Sequence, residues 1–382
     1  MKKKTRILTI TGSDSTGGSG MQADIKTITT LGAYATTALT AVTAQDTVGI
    51  QHFYDLPAEV LEMQIRSVMN DLRPDAVKVG MLRSVEQVEV VAKLLCEYAP
   101  RFVVVDAVVM SSKGDVIVSD AVMEAMVRKI FPLASLVMIK QNCAVHMLHQ
   151  AVVKNNDDLE AVAQALLTYG SAAVVVQGNG TTTEVLTDVL MERTSTMAIY
   201  YSRPSFVDRL IHGVAGAFAS AIAVFLCSDC GVGHAIEQAQ SYISQLILHS
   251  SGSKIADDKQ LLDHSRGIAQ LHISSRILEI YNKLMNEIAA SHRRTSEVAF
   301  YAQRLHITPR YLAYITRRIA GRTPKQLIDD YIIKEVETQV LSSSKSIKEI
   351  AFDFGFSSPA QFNKFFKKMR HCSPTTYREK YG

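Results

Sequence analysis

No stretch of this 382-residue chain is apolar for long enough to cross a bilayer. The longest apolar run, Val214 to Cys227, is shorter than a membrane helix needs and is sprinkled with Ala, Gly and Ser, so it reads as a buried helix and no membrane partner is expected. No export leader is expected either: Met1-Lys2-Lys3-Lys4 imitates a basic start, but the apolar residues Ile7 to Ile10 stop at Gly12-Ser13-Asp14. Cysteine is scarce and odd in number, with Cys96, Cys143, Cys227, Cys230 and Cys372 at no framework spacing; this argues against a disulfide scaffold and for a reduced, cytoplasmic setting. Cys227-Ser228-Asp229-Cys230 is a lone CxxC without a second pair or a neighbouring His, which reads as packed thiols, so no metal site is expected. The polar bias of disordered chains is absent as well: with 47% hydrophobic and 20% charged residues the chain is globular, and its length suits two domains.

Charge is distributed unevenly. Residues 293–382 hold 17 Lys and Arg against 8 Asp and Glu, a local +9, so the +4 of the whole chain leaves the first 292 residues at −5. Clustered cations gain free energy by displacing counterions from phosphates, which points to an anionic polymer as partner of the C-terminal part. The small, polar stretch Ser250-Ser251-Gly252-Ser253-Lys254 with Asp257-Asp258-Lys259 starts the best linker, taken as 251–272 between domains at 1–250 and 273–382. Beyond it, Ile273, Ile277, Ile280, Tyr281, Leu284 and Ile288 recur at helical spacing.

The basic part contains one pattern twice. Val298, Ala299, Ala302 and Leu305 mark a helix face, Ile307-Thr308-Pro309 breaks it, and Thr308 caps a second helix whose apolar side is Tyr311, Leu312 and Ile315. Its other side presents Arg310, Tyr314, Arg317 and Arg318, and Gly321 ends it. Further on, Ile347, Ile350 and Ala351 begin a short helix, Gly355-Phe356 turns, and Ser358-Pro359 opens a helix that buries Phe362, Phe365 and Phe366. That helix exposes Gln361, Asn363, Lys364, Lys367, Lys368 and Arg370, amide and cationic groups suited to base edges and phosphates. Residues 325–342 read as a connecting helix. The string Ser346-Ile-Lys-Glu-Ile-Ala-Phe-Asp-Phe-Gly-Phe356, then Phe362, Phe365-Phe366-Lys367-Lys368 and Ser373-Pro374-x-x-Tyr377-Arg378, resembles the AraC/XylS family of transcription regulators. The resemblance implies an all-α domain with two helix-turn-helix units, whose second helices enter adjacent major-groove segments of double-stranded DNA. His371-Cys372 stands where that family usually has Gly before its Ser-Pro signature.

The first 250 residues alternate apolar runs (Ile7 to Ile10, Ala76 to Val79, Phe102 to Val105, Leu136 to Ile139, Ala173 to Val176) with helical stretches, which predicts an α/β sheet covered by helices. The first run feeds the glycine-rich loop Gly12 to Gly20, suited to close backbone approach to a ligand, and Gly18-x-Gly20-x-x-Ala23 lies too far past the strand for a dinucleotide fingerprint. No Gly-Lys-Ser/Thr follows, which excludes a Walker loop. Together with Thr43-Ala44-Gln45, Val77-Lys78-Val79-Gly80-Met81-Leu82 and Asp106-x-Val108, the loop is similar to hydroxymethylpyrimidine (phosphate) kinase of the ribokinase-like superfamily, a thiamine-biosynthetic family. The resemblance implies a three-layer α/β domain with a central, mostly parallel sheet, and a pyrimidine held by Gly12, Asp24, Val42, Gln45, Met81 and Val108, with Met81 packing on the ring.

On the nucleotide side the family pattern is broken. The family's Gly-Thr-Gly-Cys (or Asp) turn is here Gly213-Val214-Ala215-Gly216, so no catalytic residue is assigned. Lys140 and Cys143 replace an Asn and a Glu that serve metal and phosphate in the family, Gln177-Gly178-Asn179-Gly180 replaces Lys-Gly-Gly-His, and Asp106-Ala107 replaces Asp-Pro; the phosphate-side cations are read as lost. Losing a general acid/base commonly costs on the order of 10² to 10⁴ in rate, and losing an electrostatic clamp on the order of 10² more. The expectation is a homodimeric sensor of hydroxymethylpyrimidine or its phosphate that needs no cofactor. The alternatives are an active kinase using ATP and Mg²⁺ fused to a DNA-binding domain, and a dimerisation scaffold that binds no small molecule.

Overall fold

The computed structural model describes residues 4–47, 49–110, 114, 116–149, 153, 155–178, 185–204, 211–228, 230–250, 260–265, 275–320, 322–343 and 345–381. The chain divides into two compact units, Met1–His272 and Ile273–Gly382.

In the first unit, β1 (Arg6–Asp14), α1 (Gly20–Thr30), β2 (Tyr34–Gln45), β3 (Ile50–Asp55), α2 (Ala58–Asp71), β4 (Ala76–Val79), α3 (Val85–Tyr98), β5 (Phe102–Asp106), α4 (Asp120–Lys129), β6 (Leu136–Lys140), α5 (Gln141–Leu148), α6 (Asn156–Leu167) and β7 (Ala173–Gln177) follow one another. Then come β8 (Val185–Glu192), β9 (Ile199–Pro204), β10 (Ile211–His212), α7 (Val214–Leu226), α8 (Val232–Ser250) and β11 (Gln260–Leu261). Nine strands form one sheet in the order β3-β2-β1-β4-β5-β6-β7-β8-β9. The run from β2 to β7 is parallel, and β3, β8 and β9 are antiparallel additions at the edges. Helices cover both faces, so the inner strands are apolar throughout rather than alternating. Leu8, Ile10, Val77, Val79, Val103 and Val105 face a core shared with α2, α3 and α4, whereas Ile7, Ala76 and Val104 face α1, α7 and α8. The run Val214 to Cys227 is the buried helix α7, and among the described residues no helix can span a membrane.

Part of the expected linker belongs to this unit. β11 pairs in parallel with β10, Leu262 is buried in the α7/α8 core, and Ser250 Oγ accepts the Asp263 N–H at 2.8 Å. Residues 251–259 and 266–272 of that linker lie outside the described residues, as do Asn179, Gly180, Ile273 and Gly321.

The second unit is helical: α9 (Ser275–Ser291), α10 (Val298–Arg304), α11 (Pro309–Ala320), α12 (Pro324–Ser342), α13 (Ile347–Asp353), α14 (Pro359–Arg370) and α15 (Pro374–Tyr381). Its core gathers Leu284, Ile288, Tyr301, Leu312, Ile332, Val336, Ile350, Phe362 and Phe366. The starts of α11, α12, α13 and α14 are chemically specified. Thr308 Oγ1 accepts the Tyr311 N–H, Thr323 and Ser346 form reciprocal capping boxes with Gln326 and Glu349, and Ser358 caps α14. The turn between α13 and α14 needs its glycine. Gly355 has φ +73°, and a Cβ there would lie 2.4 Å from the Arg293 carbonyl.

Candidate functional site

The first unit holds a cavity of about 480 Å³ at the carboxyl ends of the parallel strands, where open α/β sheets place ligands. Gly12, Gln45, Met81 and Val108 line it. A Cβ on Gly12 would sit 2.5 Å from Met81 Cε, so a larger residue there has to displace the end of that side chain. Met81 itself is held by its backbone: its N–H donates to Thr11 Oγ1 at 3.2 Å, and its carbonyl accepts Thr40 Oγ1 at 2.8 Å.

Two residues assigned to the ring lie elsewhere. Val42 is exposed on the opposite side of β2 from Thr43 and does not line the cavity. Asp24 is fully buried and likewise absent from the lining. Its carboxylate accepts Thr9 Oγ1 (2.5 Å), Lys78 Nζ (2.9 Å) and Ser220 Oγ (2.8 Å). A carboxylate so satisfied is a support for Lys78 rather than a group for the ligand. Lys78 in turn lies 3.8 Å from Asp106 Oδ2, and both Lys78 and Asp106 line the cavity. Burial opposes the charge on Lys78, but the two carboxylates outweigh it and raise its pKa. Burial pushes the Asp106 carboxyl up, against the opposing pull of Lys78.

His212 was not singled out from the sequence, yet it organises the side of the cavity that Gln45 and Asp14 line. Its Nε2 is 3.1 Å from Asp14 Oδ2 and 3.0 Å from the Gln45 amide. Asp14 also accepts N–H and Oγ donors from Thr16 and Ser19. Burial alone would raise the Asp14 pKa, but hydrogen bonds from His212, Ser19 and Thr16 hold it well below the usual carboxylate range. An ionised Asp14 only accepts, so His212 Nε2 must carry the proton. The Gln45 amide is placed with its NH₂ toward His212 and its oxygen toward Thr43 Oγ1 at 3.3 Å; the reversed amide satisfies both contacts better, because Thr43 Oγ1 gives its single proton to the Ser13 carbonyl at 2.8 Å. The sequence signal was faint: a histidine immediately before Gly213.

Helix α7 begins at this cavity. Gly213, its N-cap, has φ +87°, and a Cβ on it would fall 1.7 Å from the Gly18 carbonyl, so the glycine-rich loop and the helix start touch backbone to backbone. Val214, Ala215 and Gly216 line the cavity, and the first N–H groups of any helix lack internal partners. No hydroxyl, thiol or carboxylate projects from these four positions. At Gly216 a Cβ would lie 3.5 Å from Asp24, 3.8 Å from Asp106 and 3.9 Å from Lys78, ordinary contact distances. Lys140 and Cys143 also line the cavity, so the reading that phosphate-side cations are gone is corrected: Lys140 supplies one. Burial raises the Cys143 thiol pKa, which keeps it protonated. Cys227 and Cys230 are half-buried against the α7/α8 core, and no cluster of metal ligands occurs among the described residues.

In the second unit Arg310, Tyr314, Arg317 and Arg318 are exposed on α11, with Arg318 donating to Tyr314 Oη at 3.1 Å. On α14, Lys364, Lys367 and Lys368 are exposed and Asn363 is half-buried. Gln361 is also exposed, but its amide oxygen accepts the Ser357 N–H and hydroxyl, which leaves only its NH₂ for a partner. Arg370 is withdrawn from this face, because its guanidinium pairs with Glu337 of α12. Phe362 and Phe366 are core, as expected.

A family model described as phosphomethylpyrimidine kinase matches residues 14–258. The chain belongs to that family. Residues 301–380 match a helix-turn-helix domain of the AraC type, which implies DNA binding. The family member is similar to the hydroxymethylpyrimidine/phosphomethylpyrimidine kinase of Streptomyces coelicolor, 36% identical over 245 residues, covering 63% of this chain and 88% of that one. It is 31% identical over 262 residues to a probable thiamine biosynthetic bifunctional enzyme of Oryza sativa; this covers 66% of the chain but only 46% of the plant enzyme. Among solved structures, phosphomethylpyrimidine kinase from Clostridium difficile aligns with a TM-score of 0.54 at 29% identity, covering 63% of this chain and 99% of that one. Bacillus subtilis pyridoxal kinase in complex with ADP aligns with a TM-score of 0.63 at 28% identity, covering 69% and 98%. The ribokinase-like fold of the first unit follows from these likenesses.

Proposed function

We propose that the first unit binds hydroxymethylpyrimidine or its phosphate as an effector without phosphorylating it, and that the second binds duplex DNA, which makes the protein a ligand-responsive regulator of thiamine-synthesis genes. One observation carries this reading: a cavity that keeps Gly12, Gln45, Met81 and Val108 meets a helix start, Gly213–Gly216, that offers backbone N–H groups but no acid, base or hydroxyl. In this arrangement Gln45 gives the ring an amide fixed by His212 and Thr43, Met81 packs on its face, and helix α7 with Lys140 attracts an anionic arm. Groups that bind are present, and a side chain to take the proton from an attacking hydroxyl is missing at Gly216. To regulate, the effector must favour one DNA-binding arrangement; a coupling of about 1–3 kcal/mol changes operator affinity about 5- to 150-fold. A homodimer would present two second units to paired half-sites.

A second reading, an active kinase, draws on Asp106 and Lys78, which lie beside the position a Gly216 side chain would occupy. Incubation of the full chain with ATP, Mg²⁺ and hydroxymethylpyrimidine or its phosphate, followed by ³¹P NMR, separates the two. Binding heat in calorimetry without phosphorylated product is the expected result, and steady turnover would refute the sensor. The triple substitution Val214→Thr, Ala215→Gly, Gly216→Cys is expected to raise transfer above the parent's background. Flat heats with every pyrimidine would leave the first unit as a scaffold only.

A further inference from the structure

The segment that leads from the first unit toward the second is part of the ligand site. β11 lies beside β10 with Ile211 opposite Gln260 and His212 opposite Leu261. Both residues of the second pair line the cavity, and Leu261 is 7% exposed. Leu261 rests on the glycine-rich loop, its Cδ2 lying 2.6 Å from where a Cβ on Gly18 would be; the same position is 3.0 Å from His212 Cδ2. Only glycine at residue 18 lets these two side chains come down onto the loop. The far end of the segment is fastened to α8 through the Asp263 N–H to Ser250 Oγ bond, the buried Leu262, and His264 Nδ1, 3.4 Å from Tyr242 Oη. By chain order the next described helix is α9, the first of the second unit.

A two-residue parallel ladder has little stability of its own. Beyond its anchor on α8, its persistence depends on its contacts with the loop, the His212–Gln45–Asp14 network and the cavity. We infer that residues 260–265 form a strap that reads occupancy of the cavity, with His212 as the positioning residue that aligns Gln45 and Leu261 as the contact that transmits filling of the site toward the second unit. The inference rests on the pyrimidine-binding reading. A ring under Leu261 and His212 adds contacts only while the strap is docked, so binding raises the docked population. Release of the strap lengthens the tether of the second unit, and docking shortens it.

Hydrogen exchange of the full chain, with and without hydroxymethylpyrimidine or its phosphate, tests this directly. At ligand near 100 times its Kd, amides that exchange only through openings expelling the ligand slow by up to about 100-fold. Slowing of at least about tenfold at 211–212 and 260–262, together with 12–14 and 43–45, is the expected result on that scale. Protection of 12–14 and 43–45 alone would overturn the strap while leaving pyrimidine binding intact. No protection and no calorimetric heat would overturn both. The second arm uses a duplex selected by the full chain from a random DNA pool. At saturating pyrimidine, the parent's DNA Kd is expected to shift at least about fivefold, and Leu261→Ala to reduce that shift to about onefold. Ser250→Ala, which loosens the far anchor without touching the cavity, is expected to do the same should Leu261→Ala fold poorly. An undiminished shift in a folded variant would refute the role of the strap.

Discussion

Replacing Lys78 by methionine puts the buried charge cluster of the first unit to a direct test. The side chain is 2% exposed and lies between Asp24 (2.9 Å, 0% exposed) and Asp106 (3.8 Å, 8% exposed). Methionine preserves most of the volume but leaves two carboxylates without their cation. Removing one partner from a buried pair costs about 3–5 kcal/mol, against a whole-domain stability of about 5–15 kcal/mol. Urea unfolding followed by far-UV circular dichroism is the appropriate assay, since the chain has no tryptophan. The loss is expected to depend on pH in a defined direction. Asp106 has a raised folded pKa, so its contribution is complete below the ordinary carboxylate value of about 3.9 and is lost as pH rises through the folded value. Without Lys78 that folded value climbs further, and the variant should close the gap on the parent as pH falls from neutrality toward 4. The double variant Lys78→Met/Asp24→Asn should recover at least about 1 kcal/mol of the single loss, because one stranded charge has gone. A Lys78→Met protein within about 1 kcal/mol of the parent at pH 7, with a flat pH profile, would refute the reasoning.

Other expectations are independent of this cluster. Lys364→Ala and Arg317→Ala should each weaken duplex binding across sequences and lower the slope of log K against log salt by about 1, measured by anisotropy titration at several salt concentrations. His371, the C-cap of α14, has φ +60°, so His371→Gly should stabilise the full chain by about 0.5–1 kcal/mol in thermal unfolding. Asp14→Asn should destabilise the first unit near neutrality. The difference should vanish as pH falls below about 3.9 toward the depressed folded value, because a lowered carboxylate pKa contributes stability only above its unfolded value. Gly12→Ala should force Met81 Cε out of its place 2.5 Å away and weaken pyrimidine binding in calorimetry, while unfolding changes little because the methionine end is flexible.

The inner sheet was readable because its strands carry apolar residues on both faces: β1, β4, β5, β6 and β7 coincide with the five apolar runs. β2, rich in Ala and Thr, and the edge strands β3 and β9 left no comparable mark, since half-exposed strands need fewer apolar side chains, and the apolar residues of β8 are interrupted by Thr187 and Asp188. The helix-turn-helix units were legible from local chemistry, the caps at Thr308, Ser346 and Ser358 and the turn at Gly355. In the cavity, Gly12, Gln45, Met81 and Val108 came from neighbouring motifs. The burial of Asp24 against Lys78, outside the cavity lining, was not legible, because nothing local to it reveals Lys78, more than fifty positions downstream, as the group that it holds. His212 and Leu261 were missed for the same reason: their importance lies in a ladder between segments far apart in the chain, and no short pattern records such a meeting.

The backbone contact between Gly18 and Gly213 sets the order in which this protein can be made. β1 and the glycine-rich loop are synthesised well before α7 and β11, so the cavity wall closes only when those elements arrive some two hundred residues later. Until then the nascent chain exposes the loop and the apolar face that α7 will cover, a long-range closure of the kind that slows folding and calls for chaperones. The basic helices emerge after the cavity is complete. A product truncated before residue 260 would lack Leu261 from the cavity lining and every helix of the second unit.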